Sequence, residues 1–327
     1  MRPVSRILVL SEHDVESLLT MRECIEVMER ALMSLARGEV HNPLRSVIRA
    51  PSAGGFLGLM PAYQGGDEPH YALKEVCVFP SNPSRGLDTH LGAVLLHSGD
   101  TGELLLVANA SAITAIRTAA VSAVATKLLA REDAKTLAVI GAGVQARTHV
   151  GAIPLVREID EIRIVSRTRE KAEAIAARDR RVRVVDSIED AVRGAGIITT
   201  TTSSREPVIK REWIADGAHI NAVGSSIATT RELDSATLAA ASLFVDRRES
   251  TVNESGDYLF ALREGAIRDG HIRAEIGEIL IGSAKGRTSR DEITLFKSLG
   301  LAVEDLASAA FLYEKALEQG GGTAVEF

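Results

Sequence analysis

The stretch that decides the fold is residues 136–146, which reads TLAVIGAGVQA. Five residues typical of a buried strand run directly into Gly141-Ala142-Gly143, and helix-forming residues follow. Gly141 permits a tight turn, Gly143 lets a pyrophosphate approach the backbone, and Ala146 lets the helix pack closely on the strand. Free N–H groups at the start of such a helix attract phosphate. The segment therefore predicts a dinucleotide-binding turn, with a purely structural glycine turn as the alternative.

Strand-like and helix-like segments alternate downstream of this turn. Short apolar runs predict strands at residues 162–166, 182–185, 196–200, 218–223, 243–246 and 293–296. The segments between and after them predict helices, among them residues 144–156, 252–264 and 272–281. Such alternation predicts an α/β fold of the Rossmann type, a doubly wound parallel sheet with helices on both faces.

The first third of the chain has a different pattern. Residues 40–107 contain short apolar runs separated by Gly, Pro, Asn and Asp, which predicts an antiparallel or mixed sheet. Ser11 and Thr20 predict two helix starts, and residues 111–130 form an Ala-rich helical stretch. A closing amphipathic helix at 300–319 is expected to cross back to this region, which completes an α+β domain.

Composition excludes several classes of protein. The chain has 327 residues, a formal net charge of −6 and only 4% aromatic residues, which disfavours binding to nucleic acid or anionic membranes. No stretch is expected to supply the roughly 18 apolar residues that span a bilayer. Cys24 and Cys77 show no metal-like spacing, and no signal peptide is recognisable, so we expect a cytoplasmic protein.

The residues after the second predicted strand bear on the choice of nucleotide. An NAD-selective enzyme usually has an acidic residue there, which binds the ribose hydroxyls. This chain has Ser166, Arg167 and Thr168 instead, and a guanidinium with two hydroxyls suits a 2′-phosphate. The sequence favours NADP(H), with NAD(H) also possible if Arg167 is simply a solvated charge.

Three cations in the first domain stand in apolar surroundings, namely Arg45, Lys74 and Arg117. Each alone is more often a surface charge, but Lys and Arg are rarely buried without a partner. Together they predict an anion pocket, most simply for a carboxylate. His90 is a further candidate, although a lone histidine is more often structural.

The chain resembles the ornithine cyclodeaminase/mu-crystallin family over nearly its whole length, and most closely the mu-crystallin-like ketimine reductases. The matching segments are MPAY at 60–63, RTAAVSA at 117–123, IGAGVQA at 140–146, SRT at 166–168, HINAVG at 219–224, RELD at 231–234, FKSLG at 296–300 and AVED at 302–305. The resemblance implies a homodimer with a substrate-binding and dimerisation domain at residues 1–115 plus 305–327. It implies an NAD(P)-binding Rossmann domain at 116–304.

The resemblance also assigns roles by position. Arg45, Lys74 and Arg117 would bind the substrate carboxylate and line the reaction pocket, and His90 would lie near the nicotinamide end of the cofactor. The residues that would hold the cofactor are Thr89, Gly141, Ala142, Gly143, Val144, Gln145, Ser166, Arg167, Thr168, Thr202, Ser203, Val223 and Ser298.

One departure from the family pattern bears on the reaction. Ornithine cyclodeaminases carry an aspartate, their proposed acid/base, where this chain has Ser226. The resemblance therefore implies an NAD(P)H-dependent reductase of small α-imino acids, such as ketimines or Δ1-pyrroline-2-carboxylate, with alanine dehydrogenase-like and iminosuccinate reductase-like enzymes in the same mechanistic class. The alternatives are an ornithine or lysine cyclodeaminase that recycles NAD, and a protein that only binds NADPH or a carboxylated ligand.

Overall fold

The computed structural model describes residues 6–327. The chain forms two compact units. Unit 1 contains the described residues up to Arg117 together with Leu301–Phe327, and unit 2 is Thr118–Gly300. The division falls inside one long helix near residue 117, and the chain returns to unit 1 at residue 301.

Unit 1 is a mixed sheet with helices. Its elements are β1 (Arg6–Leu10), α1 (Glu12–Leu18), α2 (Met21–Ala36), β2 (Val40–His41), β3 (Ser46–Ile48), β4 (Phe56–Gln64), β5 (His70–Val78), a 3-10 turn (Asn82–Arg85), β6 (His90–Ser98), β7 (Leu104–Asn109), the first part of α3 (Ala110–Leu129), α11 (Ala302–Gln319) and β16 (Thr323–Glu326). The strand order is β16-β1-β7-β6-β5-β4-β2, with β3 also on β4. Among residues 6–327, the β1–β7 pairing is the only parallel one in this sheet. The strands of residues 40–107 pair antiparallel with one another, which confirms the predicted antiparallel or mixed sheet.

One face of this sheet is covered by helices. Met60, Lys74 and Val94 lie opposite one another on β4, β5 and β6, and all three are buried. Helix α11 packs against these strands and against α2. The predicted helix starts are confirmed, because Ser11 and Thr20 each form a capping box at the start of α1 and α2.

Unit 2 is built on an eight-stranded parallel sheet. Its elements are the rest of α3, β8 (Thr136–Ile140), α4 (Val144–Ala152), a 3-10 turn (Ile153–Leu155), β9 (Glu161–Val165), α5 (Arg169–Ala176), β10 (Val182–Val184), α6 (Ile188–Val192), β11 (Ile197–Thr200), a 3-10 turn (Arg211–Trp213), β12 (His219–Ala222), α7 (Ser235–Ala240), β13 (Ser242–Val245), α8 (Arg248–Glu254), α9 (Gly256–Arg263), β14 (Ile272–Glu275), α10 (Ile276–Leu280) and β15 (Thr294–Lys297). The strand order is β10-β9-β8-β11-β12-β15-β13-β14. The predicted Rossmann-type sheet is confirmed, and the strand order reverses direction at β8, where such sheets bind ligands at their carboxyl edge.

Two predicted helices differ from the structure. Residues 272–281 begin as strand β14, because Ile272 and Ala274 are buried while Arg273 between them is exposed. Only the following five residues are helical. The predicted helix at 252–264 is two helices, since Ser255 ends α8 and accepts the N–H of Tyr258 as the cap of α9.

Helix α3 has the length predicted for residues 111–130 but is more apolar than expected. It has 20 residues and a mean hydropathy of 1.4 over its most apolar window, enough to cross a membrane by length and composition alone. The prediction that no stretch is apolar enough to span a bilayer was therefore wrong. Within the protein 78% of this window is buried, as is typical of a core helix.

Candidate functional site

The glycine-rich turn follows β8, the strand at which the strand order of the sheet changes direction. Gly141 has φ +119°, a conformation that disfavours any side chain. A Cβ at Gly141 would lie 2.7 Å from Oγ1 of Thr201 and 2.8 Å from its carbonyl oxygen. The turn therefore packs directly on the loop after β11, and only glycine fits between them.

Helix α4 begins at Val144, immediately after Gly143. Within residues 6–327 no side chain caps this helix start, and beyond the residues adjacent to Gly143 no atom lies within 4 Å of the position that its Cβ would occupy. Ala146 is fully buried, which allows the close packing of helix on strand. A tight turn, an open approach and uncapped N–H groups fit the pyrophosphate of a dinucleotide.

The loop after β9 carries the residues predicted to select the nucleotide. Ser166 is half-buried and its Oγ accepts the N–H of Thr168 at 3.2 Å, while Arg167 and Thr168 are exposed. Arg169 is already engaged, with its guanidinium 3.0 Å from Glu173 and 2.6 Å from Asp186. Arg167 is thus the better placed of the two arginines for a ligand.

The carboxyl ends of three more strands meet at the same edge of the sheet. Thr202 follows β11, Val223 follows β12, and Ser298 follows β15. The N–H of Val223 donates to the carbonyl of Thr200 at 3.0 Å, and that of Ser298 donates to the carbonyl of Ala222 at 3.1 Å. The structure therefore brings these predicted cofactor residues to the edge that carries the glycine-rich turn.

Two further predicted residues lie in the loops of this edge. Ser203 is exposed beside the half-buried Thr202. Ser226 is half-buried and follows Ser225, whose Oγ is 2.8 Å from Oγ1 of Thr230. The loop that carries Ser226 is thus held by a hydroxyl pair. Three buried side chains below these loops, Glu232, Asp257 and Lys297, were not predicted from the sequence.

A second cluster of charges lies in unit 1, on the helix-covered face of its sheet. Lys74 Nζ is 2.7 Å from Oδ2 of Asp305, and the Nε of Arg117 is 3.2 Å from Oδ1 of the same carboxylate. The Nη1 of Arg117 is 2.7 Å from Oε2 of Glu304. All four side chains are at most 5% exposed. The cluster joins β5, α3 and the first turn of α11.

Burial strongly lowers the pKa of Lys74. Removal from water, with the positive charge of Arg117 next in importance, lowers the pKa of its ammonium to about 8. Asp305 opposes this change, and Arg45 adds to it. A lysine that titrates close to neutral pH can give up and regain a proton, which an ordinary surface lysine does not do near pH 7.

Two other predicted residues of unit 1, Arg45 and His90, lie close enough to Lys74 for their charges to interact. Arg45 directly precedes β3, which pairs with β4, and its positive charge helps to lower the pKa of Lys74. His90 reaches the surface, and desolvation and the charge of Lys74 lower the pKa of its imidazole. Thr89 is half-buried and its carbonyl accepts the N–H of Phe79 at 2.9 Å.

Sequence reasoning did not identify the acidic partners in this cluster. Glu304 and Asp305 belong to the matching segment AVED, but no role was assigned to them. The available signal was electrostatic, because buried Lys74 and Arg117 require carboxylates. What the sequence could not supply was which carboxylates, since Arg117 and Asp305 are 188 positions apart.

The fold and this arrangement define an α/β protein with a Rossmann-type dinucleotide-binding sheet and a separate unit that holds buried ionisable groups. The chain belongs to the ornithine cyclodeaminase/mu-crystallin family, whose model matches residues 6–320. It is 40% identical over 294 residues to the ketimine reductase mu-crystallin of Mus musculus, covering 89% of this chain and 91% of that protein.

Two solved structures are similar over nearly the whole chain. One is a Δ1-pyrroline-2-carboxylate reductase of Thermococcus litoralis in complex with NADH and L-proline, with 43% identity, a TM-score of 0.94, and coverage of 98% of this chain and 100% of that one. The other is an archaeal alanine dehydrogenase dimer with bound NAD, with 34% identity, a TM-score of 0.93, and coverage of 99% and 100%.

Proposed function

We propose that this protein is an NAD(P)H-dependent reductase of small α-imino acids, of the ketimine or Δ1-pyrroline-2-carboxylate type. The observation that carries the proposal is the buried Lys74, held by Asp305 with its pKa lowered to about 8. Such an ammonium can keep an imine nitrogen protonated, which makes the imine carbon electrophilic. The names of the similar proteins, a ketimine reductase and a pyrroline-2-carboxylate reductase, support the same reaction.

The edge of the sheet in unit 2 would hold the cofactor. Gly141, Gly143 and the N–H groups of Val144 and Gln145 suit the pyrophosphate, and Thr202, Val223 and Ser298 suit the remainder of the nucleotide. When bound, a reduced nicotinamide supplies a hydride. We propose that NADP(H) is preferred, because exposed Arg167 offers a charge for a 2′-phosphate, and that NAD(H) is also accepted.

The charges of unit 1 would bind the substrate. Arg45 and Arg117 suit its carboxylate, and Glu304 and Asp305 hold Arg117 in a fixed orientation before any substrate arrives. Lys74 would deliver the proton. His90 would lie close by in its neutral form, since the pKa of its imidazole is lowered. Addition of hydride to the carbon of a protonated imine gives the amine, so no further proton is needed.

We also propose that the protein is a cytoplasmic homodimer. The face of the unit 1 sheet opposite α2 and α11 carries an apolar set that is half-buried or exposed, namely Leu59, Pro61, Tyr71, Leu73, Leu91 and Leu95. Tyr71 is 51% and Leu91 41% exposed. This apolar set, interrupted by exposed Glu75 between Leu59 and Ala93, suits a second copy of the chain. The dimer described for the archaeal alanine dehydrogenase supports the assignment, and the two free thiols suit a reducing compartment.

Steady-state assays test the reaction. Cyclic imines, including Δ1-pyrroline-2-carboxylate, and pairs of an oxoacid with an amine would be supplied with NADH or NADPH, and nucleotide oxidation followed by absorbance. We expect multiple turnovers with at least one imine. Tight nucleotide binding without turnover of any imine would favour a binding protein. Ammonia release from ornithine without net nucleotide reduction would favour a cyclodeaminase.

A further inference from the structure

Glu232 lies fully buried under the carboxyl edge of the parallel sheet. Its Oε1 accepts the N–H of Thr202 at 2.6 Å, and its Oε2 accepts the N–H of Gly224 at 2.7 Å. Oε2 also accepts the hydroxyl of Thr200 at 2.7 Å. One carboxylate thus joins the loops that follow β11 and β12, two neighbouring strands.

A buried ion pair between Asp257 and Lys297 holds the backbone of Glu232. Oδ1 of Asp257 accepts the N–H groups of Glu232 and Leu233 at 2.8 and 3.0 Å, and its Oδ2 is 2.9 Å from Nζ of Lys297. Burial raises the pKa of Glu232, and the charge of Lys297 opposes that change. Lys297 is the last residue of β15 and directly precedes Ser298. The network therefore reaches all three strand ends at the carboxyl edge.

The two loops are also packed tightly against each other. A Cβ at Gly224 would overlap the carbonyl oxygen of Thr202 and would lie 2.5 Å from Oε1 of Glu232. Three donors point at Glu232, and a carboxylate can accept all of them. A glutamine side chain has the same shape, but its NH2 group would face one of these donors and could not accept a hydrogen bond from it. Glutamine therefore cannot replace the carboxylate in this network.

We propose that Glu232 is a positioning residue for the nicotinamide dinucleotide. Without touching the cofactor, it fixes the spacing of the loops that carry Thr202 and Val223, two residues proposed to hold that cofactor. The inference rests on the proposed function, because it requires the edge of the sheet in unit 2 to be the nucleotide site. The segment RELD at 231–234 does not by itself predict that Glu232 contacts these loops.

The test compares Glu232→Gln with Asp234→Asn. Asp234 lies two residues away and also accepts backbone N–H groups, those of Thr237 at 2.8 Å and Arg211 at 3.3 Å, at the start of α7. Dissociation constants for NADH and NADPH would be measured by fluorescence titration, and Tm by calorimetry. We expect at least a tenfold rise in Kd for Glu232→Gln and less than a twofold change for Asp234→Asn, although both lower Tm.

A milder variant keeps the test decisive if Glu232→Gln does not fold. Thr200→Val removes only the hydroxyl donor and should raise Kd about two- to fivefold. Unchanged Kd in Thr200→Val and in any folded Glu232→Gln, or an equal rise in Asp234→Asn, would overturn the inference. Failure of the wild-type protein to bind either nucleotide would instead contradict the proposed function.

Discussion

Lys74 and Asp305 form a nearly fully buried ion pair, with Nζ 2.7 Å from Oδ2, although one residue belongs to a central strand and the other to the last helix. The same carboxylate accepts Nε of Arg117 at 3.2 Å. Two cations thus depend on one acidic side chain for position. In water-free surroundings, loss of Asp305 removes the carboxylate that compensates Lys74, whereas Arg117 keeps its pairing with Glu304.

Replacement of Asp305 by Asn should therefore cost both stability and activity. We expect the free energy of unfolding to fall by about 3–5 kcal/mol, the usual cost of removing one partner from a buried pair. Turnover of the imine should fall at least tenfold, because Lys74 and Arg117 lose a common anchor. Chemical denaturation and steady-state kinetics provide the two measurements.

The control is Glu23→Gln in the same unit. Glu23 pairs with Lys315 at 2.6 Å, but its side chain is 36% exposed, and Gln still serves the capping box of α2. A pair this accessible contributes at most about 1 kcal/mol. Equal losses in the two variants would show that burial of the Lys74–Asp305 pair has no special effect.

The lowered pKa of Lys74 predicts the pH dependence of activity. If its ammonium supplies the proton, the rate at saturating substrate should fall as pH rises through about 8. Asp305→Asn should move this limb to lower pH, because Asp305 favours the charged ammonium. An alkaline limb that stays in place in Asp305→Asn would assign it to another group.

The same pKa shift has a consequence for stability, with a definite sign. The ammonium of Lys74 titrates at about 8 in the folded protein and at 10.5 when unperturbed, so the unfolded chain binds more protons between these values. The contribution of Lys74 is complete above pH 10.5 and is lost as pH falls through about 8. Relative to Lys74→Met, the wild type should gain up to about 3 kcal/mol from pH 8 to 10.5. Denaturant titrations of both proteins measure this difference.

Local signals in the sequence were enough to predict the nucleotide-binding half of the fold. The glycine-rich turn at Gly141 and the alternation of strands and helices are local patterns, so they can be recognised in the sequence alone. The partners of Lys74 and Arg117 could not be predicted, because contacts over almost 200 positions depend on how α11 returns to the sheet. Strand β14 was mistaken for a helix because four residues show too little periodicity to separate the two.

Gly141→Ala should damage the nucleotide site, whereas Gly194→Ala should not. Both glycines have positive φ, +119° and +73°, so each alanine carries a backbone cost of about 1–2 kcal/mol. Only at Gly141 would the Cβ also meet Thr201, while the space at Gly194 is open within the described part of the chain. We expect at least a tenfold loss of NADH affinity for Gly141→Ala alone, measured by fluorescence titration. Equal affinities would mean that the turn does not form the phosphate site.

The choice between nucleotides should depend on Arg167. Arg167→Asp replaces attraction to a 2′-phosphate by repulsion, and loss of one charge-assisted contact alone costs about 1.5–3 kcal/mol. We expect a much larger loss of affinity for NADPH than for NADH. Arg169→Ala is the matched control, because its guanidinium is already paired with Glu173 and Asp186. A tenfold preference of the wild type for NADH would show that Arg167 does not select NADP(H).

The serine at position 226 predicts that the protein is a reductase and not a lyase. Cyclisation of ornithine requires oxidation to an imine, attack by the distal amine, loss of ammonia and return of the hydride. These steps need several proton transfers in both directions, which a carboxylate can serve and an unactivated hydroxyl cannot. Reduction of a protonated imine needs only orientation and a place for the carboxylate.

We therefore expect the wild type to reduce imines and to leave ornithine unchanged. The assay supplies ornithine with catalytic NAD(P)+ and follows both ammonia and proline. Sustained proline formation at a rate comparable with imine reduction would contradict this assignment and would require another residue to serve as the acid/base.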